Sequence, residues 1–321
     1  MDTTTLLKRG FAVWWRYKVL WGLGALLALF GRGYGVTINL GVVQPEEVPA
    51  DLVPALLSLI PEELTPETVV GSLVTVTLIL FGLWIVLLLV GNLVEAAAIV
   101  QTDLLDRRGQ FDVSGSFAIG TQRMIPLFLL DIVLSIPALV IGLLIIIAVG
   151  VLLMNLTMMA SDAPGVEMLA GAVVVMLGVV LCLSIPLLIW GFVLSLWRPL
   201  AVRVCVLEQQ GPVASIKRGW AILRRNLGQV VIVWLVLLGI GVIYSLPVGA
   251  IAGVLWAVTA ANPLTNFGLW VAITILFNLI FAVIFGGILA SLNVALWNVG
   301  YWQWTGAAPA MEQVYAPVQI R

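Results

Sequence analysis

Six strongly polar residues stand inside or at the ends of otherwise apolar stretches: Asn92, Glu95, Asp131, Arg198, Asn293 and Asn298. A charge at bilayer depth costs on the order of 2.5–3.5 kcal/mol at the centre on insertion scales and less near the interface, so such groups pair, line a wet cavity or reach the headgroups. Glu95 and Arg198 are 103 residues apart, and Asn298 follows after a further 100, beside Trp297 as Arg198 is beside Trp197. All three would close the second span of a helical hairpin on one side of the membrane. The sharpest expectation is that Glu95 and Arg198 clasp, directly or through Asn92 or Asp131, with arginine offering a bidentate fork to a carboxylate. The alternatives are separate snorkelling to the interface and a polar cavity opening to the cytoplasm.

The residues needed for most enzyme chemistry are missing. The chain has no histidine, which removes the commonest general base and transition-metal ligand. Ser-His dyads, G-x-S-x-G elbows and Walker loops do not occur. Cys182 and Cys205 form no spacing motif. No catalytic, cofactor or metal site is expected. Glycines such as Gly22, Gly24, Gly249, Gly253, Gly286 and Gly287 fall in apolar runs, where small residues let helices approach closely.

The elements that would position the polar residues are membrane spans. Of 321 residues 62% are hydrophobic and 10% charged, against about a quarter charged in soluble domains, so lipid must be the solvent for most of the chain. A helix needs about 20 apolar residues to cross about 30 Å of hydrocarbon. Runs near 70–94, 125–153, 168–197, 229–258 and 269–298 meet that, and a weaker run covers about 18–38. A cleaved signal peptide is the other reading of the weak run, but no A-x-A-like site follows and Trp14, Trp15 and Tyr17 precede it. The fold class expected is an all-α polytopic bundle of about six spans, a single transmembrane domain over 1–321. Pro137, Pro186 and Pro247 fall within spans and predict kinks.

Fourteen of the fifteen lysines and arginines fall on one side of this threading, Arg32 being the exception. The positive-inside rule puts that side, and both ends of the chain, in the cytoplasm of a cell membrane. The outer stretch 44–68 is instead rich in acids and prolines, with a short amphipathic segment between. It reads as a solvated loop, with cation gathering as the alternative. Thr65-Pro66-Glu67 reads as a helix start.

Three cytoplasmic stretches resemble one another: Lys8-Arg9-Gly10-Phe11-Ala12-Val13, Gly115-Ser116-Phe117-Ala118-Ile119 and Lys217-Arg218-Gly219-Trp220-Ala221-Ile222. They suggest three repeats, about 1–100, 101–197 and 198–300, each an interfacial helix and a two-span hairpin, followed by a tail over 301–321. The third helix is the clearest. Val213, Ile216, Trp220, Leu223 and Leu227 share a face, while Lys217, Arg218, Arg224 and Arg225 lie off it. Such a helix would lie in the interface against anionic lipid of the cytoplasmic leaflet. Lipid or partner sensing is one reading, a plain anchor the other.

The stretch from Trp197-Arg198-Pro199 through Glu208-Gln209-Gln210-Gly211 to Lys217-Arg218-Gly219-Trp220 and Arg224-Arg225-Asn226-Leu227-Gly228 resembles a block in bacterial multi-span proteins of unknown function. It is similar to the membrane domain attached to some glycerophosphodiester phosphodiesterases. The block covers about 30 residues, and the soluble phosphodiesterase domain is not part of this sequence, so the resemblance implies a bacterial inner-membrane module and no activity. The expected function is a non-enzymatic, lipid-interacting scaffold or accessory subunit, with membrane lipids and another membrane protein as partners and no nucleic acid. A transporter or channel for a small solute or lipid is the alternative.

Overall fold

The computed structural model describes residues 3–30, 66–160, 166–260 and 282–306, together with the helical positions 276 and 280. The acidic stretch 44–65, the end of the weak first run, the start of the last span and the tail beyond 306 lie outside the described residues. The described chain is an all-α membrane bundle of eight α-helices: α1 Thr3–Arg16, α2 Val19–Leu29, α3 Pro66–Arg108, α4 Val113–Ala160, α5 Val166–Leu207, α6 Pro212–Arg225, α7 Leu227–Ala260 and α8 Gly287–Thr305, the last preceded by a π-helical turn at Ala282–Gly286. Among the described residues five helices, α3, α4, α5, α7 and α8, are long and apolar enough to cross a membrane. The described part of the weak first run, α2, has 11 residues, about 16 Å at 1.5 Å per residue.

The helices are longer than the apolar runs. α3 continues from the expected end near 94 through Arg108, and α5 from 197 through Leu207. Intrahelical bonding needs no apolar side chains, so a helix carries on past the hydrocarbon until a residue releases it. α3 begins at Pro66, in line with the Thr65-Pro66-Glu67 start. At its other end Gly109 adopts φ 62°, with its N–H on the Leu105 carbonyl at 3.1 Å. Gln209 after α5 and Gly306 after α8 take the same left-handed conformation, at φ 55° and 61°. Among the described residues these three are the positive-φ positions, one after each long helix that returns to the basic side. Glycine is the usual occupant because it lacks a Cβ.

Two of the interfacial stretches are separate helices. α1 stops at Arg16, and α6 stops where Asn226 turns its own N–H and Nδ2 onto the Ile222 carbonyl, each at 3.1 Å. The middle stretch does not stop: Val113–Ala160 is one helix through Pro126 and Pro137. Residues 121–125 include no Asn or Gly able to cap, and a proline alone removes one bond without supplying a substitute for the freed carbonyls. The expected free-standing helix over about 112–123 is therefore the first part of α4.

The described residues form two compact units, one drawn from the chain up to residue 125 and from 231 to 306, the other from 126 to 230. In the first, α8 is the central helix, buried along most of its length and packed against α1, α2 and α3. α2 and α8 meet backbone to backbone: a Cβ built on Gly287 would lie 2.7 Å from Ala25 Cα, and one on Gly24 would strike the Gly287 carbonyl. In the second unit α6 lies along the end of α5, where a Cβ on Gly219 would come within 2.8 Å of Ala201 N. Gly10 makes the same kind of approach to Leu296 on α8, and Gly120 to the Leu93 carbonyl on α3. Away from these contacts the helices are bare. Leu78, Ile79, Leu80 and Phe81 are each more than half exposed. Four successive helical positions point in four directions, so this part of α3 presents apolar side chains all round, the pattern of a lipid-immersed helix.

Candidate functional site

Among the residues singled out by sequence, Arg198 and Asp131 come together. Arg198 Nε donates to Asp131 Oδ1 at 2.8 Å and Nη2 to Oδ2 at 3.4 Å. The two side chains are half-buried, and they join α4 to α5, the two spans of one hairpin. The fork is the bidentate geometry expected of arginine, and Asp131 is one of the groups through which the expected clasp could run. Glu95 belongs to the other unit, where it is buried on α3 one turn after Asn92. Asn92 is wholly buried, and neither Nδ2 nor Oδ1 has a hydrogen-bond partner among the described residues. Asn293 is half-buried on α8.

Asn298 donates from Nδ2 to the Ile99 carbonyl at 2.8 Å. Trp302, one turn on, donates from Nε1 to Asp103 Oδ1 at 2.7 Å. Both pairs are 199 residues apart, so α3 and α8 run parallel in one register, which sets Asn298 level with Ile99 rather than with Glu95.

Several polar residues in this belt are not among the six singled out by sequence. Asp103 also holds Arg107 in an ion pair at 2.8 Å, and the Arg107 guanidinium lies 3.7 Å from the centre of the Trp302 ring. Arg9 of α1 grips Asp106 with Nε and Nη2, at 3.0 and 2.8 Å. Gln101 accepts from the Ser116 hydroxyl at 2.9 Å, and Asp112 caps α4 by accepting from the Gly115 N–H at 2.9 Å. Trp14 Nε1 reaches Ser291 Oγ at 3.0 Å on α8. The signal for the first group was present: Asp103-Leu104-Leu105-Asp106-Arg107-Arg108 puts acids and bases on one helical face at steps of three and four.

α6 has three sides. Ser215, Gly219, Ile222 and Leu223 are buried against the protein. Val213, Trp220 and, just past the helix end, Leu227 are exposed, at 58%, 38% and 53%. Lys217, Arg218, Arg224 and Arg225 form the third side, also exposed. Arg218 is paired with Glu208 at 2.5 Å, and no ion pair to Lys217, Arg224 or Arg225 occurs among the described residues. Trp220 is fixed against Trp197, ring centres 4.9 Å apart, and Trp197 Nε1 donates to the Ile216 carbonyl at 3.0 Å. Val213, Trp220 and Leu227 of the expected apolar face are thus outward, while Leu223 joins Ser215, Gly219 and Ile222 on the inward face, where Gly219 allows α5 to come close.

No protein-family model matches the chain, and neither a curated protein nor a solved structure was found to match it.

Proposed function

We propose that this protein is a non-enzymatic, lipid-interacting membrane scaffold or accessory subunit whose α6 sits in the interface on anionic lipid. The three-sided division of α6 supports this reading. A helix that only packed on α5 would need its Ser215–Gly219–Ile222 face and could be polar elsewhere. α6 instead exposes Val213, Trp220 and Leu227 next to Lys217, Arg224 and Arg225, which make no ion pair among the described residues, the combination that inserts at the acyl boundary while binding negative headgroups. The segregation of basic residues in the sequence supports a cytoplasmic position for α6 and for both ends of the chain. The similarity to the phosphodiesterase-associated membrane module is consistent with a bacterial inner membrane and with no catalysis.

The three-repeat organisation belongs to the same proposal. It is supported by the αL residues Gly109, Gln209 and Gly306, each after a long helix, and by Gly10, Gly120 and Gly219, each set closely against a long helix. In this register Ser116-x-x-x-Gly120 corresponds to Ser215-x-x-x-Gly219 and Leu6-x-x-x-Gly10, so the middle copy is shifted by one turn from the match through Phe117.

The test is purification with native lipids followed by native mass spectrometry of the wild type and of Lys217→Gln/Arg224→Gln/Arg225→Gln. The wild type should retain anionic phospholipid and the triple variant much less, at about 1 kcal/mol per basic residue near an anionic surface. Equal retention by the two, or no preference for anionic over zwitterionic lipid, would rule the reading out.

A further inference from the structure

The basic residues of α6 form a pattern around one position. Residues three and four apart are neighbours on a helix surface, so Lys217, Arg218, Arg224 and Arg225 stand at the four corners around Ala221. Ala221 is exposed, and its single methyl leaves the middle of this ring shallow. Lys217 and Arg224 lie seven residues apart, a rise of about 10 Å and an offset of about 20° around the helix, so the ring is elongated along the axis. Beside it runs an apolar line of the same period. Val213, Trp220 and, just past the helix end, Leu227 are seven residues apart and exposed. Trp220 is fixed in that line by its contact with Trp197 at 4.9 Å.

The acids of this unit do not neutralise the ring. Among the described residues from 126 to 230 they are Asp131, Glu167 and Glu208. Asp131 holds Arg198 at 2.8 Å, and Glu208 holds Arg218 at 2.5 Å. Glu167 stands in the first turn of α5, at the end away from α6. Of the other bases, Arg203 is buried and donates to the Pro199 carbonyl at 2.8 Å. Lys217, Arg224 and Arg225 are exposed and make no ion pair among the described residues. The C-terminus of α6 sets about half a negative charge against these three, which leaves an excess of about two and a half positive charges.

We propose that the ring around Ala221 is a site for a lipid with two phosphates in one headgroup, the cardiolipin type in which a glycerol bridge joins two phosphatidyl groups. The inference deepens the lipid reading of α6 and rests on it. One phosphodiester is held by Arg224 and Arg225, the other by Lys217, and the bridge crosses Ala221. The acyl chains follow Val213, Trp220 and Leu227. A lipid with one phosphodiester brings one negative charge and leaves most of the excess standing, whereas two phosphodiesters nearly match it. Once the first phosphate is bound, the short bridge presents the second at high effective concentration, which two separate lipids do not share. α1 shows what sets α6 apart. Its Ala12 is also exposed and framed at the same steps, by Lys8, Arg9, Trp15 and Arg16, but tryptophan takes one corner and Arg9 is held by Asp106.

The experiment places the full chain in phosphatidylcholine nanodiscs containing either cardiolipin or twice the molar amount of phosphatidylglycerol, so that total charge is equal, and counts retained lipid by native mass spectrometry. The wild type should prefer cardiolipin by about tenfold or more. Lys217→Gln removes one anchor, and Ala221→Leu fills the place of the bridge without changing any charge, on an exposed position where leucine is a good helix former. Each should bring the preference close to parity. Lys8→Gln removes an equal charge from α1 and should leave the preference in place. Retention of phosphatidylglycerol with no preference for cardiolipin would overturn this inference and leave the lipid reading of α6 standing, while retention of neither lipid would overturn both. A preference that survives Lys217→Gln or Ala221→Leu, or one lost equally in Lys8→Gln, would also overturn it.

Discussion

Arg198 and Asp131 show how a charge pair is tolerated among apolar helices: two nearly parallel contacts and partial exposure. Removing one partner leaves the other half-buried without its counter-charge, which costs more than the pair contributes. Arg198→Gln and Asp131→Asn should each lower the midpoint of thermal unfolding in lipid, and the double variant should lose less than the sum, by a coupling of about 1–2 kcal/mol. Additive losses would mean that the two groups do not depend on each other. Asn92 is the opposite case. Its buried amide has no partner among the described residues, at a cost of about 1–3 kcal/mol, so Asn92→Leu should raise the melting temperature; a fall of several degrees would show that the amide is in use. The sequence made these residues visible because a polar side chain is rare in an apolar run. It offered Asp131 only as one of the groups through which the arginine could be held, because which residue meets Arg198 depends on which helices touch. Asp103, Arg107 and Trp302 were overlooked for a related reason: at the polar end of a span, charges are expected and attract no notice.

At the scale of elements, small residues decide how closely the basic-side helices meet. Gly219, Gly10 and Gly120 each sit where a Cβ would strike a neighbouring helix, whereas Gly82 and Gly239 face open space. Gly219→Val should therefore lift α6 from α5 and cost about 2 kcal/mol or more by overpacking. Gly239→Ala should be neutral or stabilising, since alanine has the better helix propensity by about 1 kcal/mol. Equal effects of the two changes in an unfolding assay would deny α6 its packed position. Hydropathy located the spans but not their ends, as helices run on past the apolar stretch until an αL residue or a cap stops them. Gly109 could be read as such a stop. Gln209 could not, since glycine two residues on at Gly211 is the stronger signal for that conformation. The middle interfacial stretch also misled: its resemblance to the other two predicted a break, but no residue before Pro126 supplies a cap.

For the whole molecule, the membrane reading follows from composition and is supported independently by the bare apolar surfaces of α3, α4 and α5. Sidedness is a separate matter, and the lipid reading of α6 depends on it, because anionic phospholipid and the excess of basic residues are expected on the same leaflet. Gln209 lies three residues before the start of α6 and is exposed, so its position reports the side on which α6 lies. The most direct test is single-cysteine labelling in intact cells, in a background without Cys182 and Cys205, with an impermeant thiol reagent. Cysteines at Glu47, Asp162 and Asn262 should be labelled from outside, and those at Gln110, Gln209 and Gln313 only after the membrane is opened. Labelling of the Gln209 position from outside would contradict the threading and, with it, the placement of α6 on the anionic leaflet.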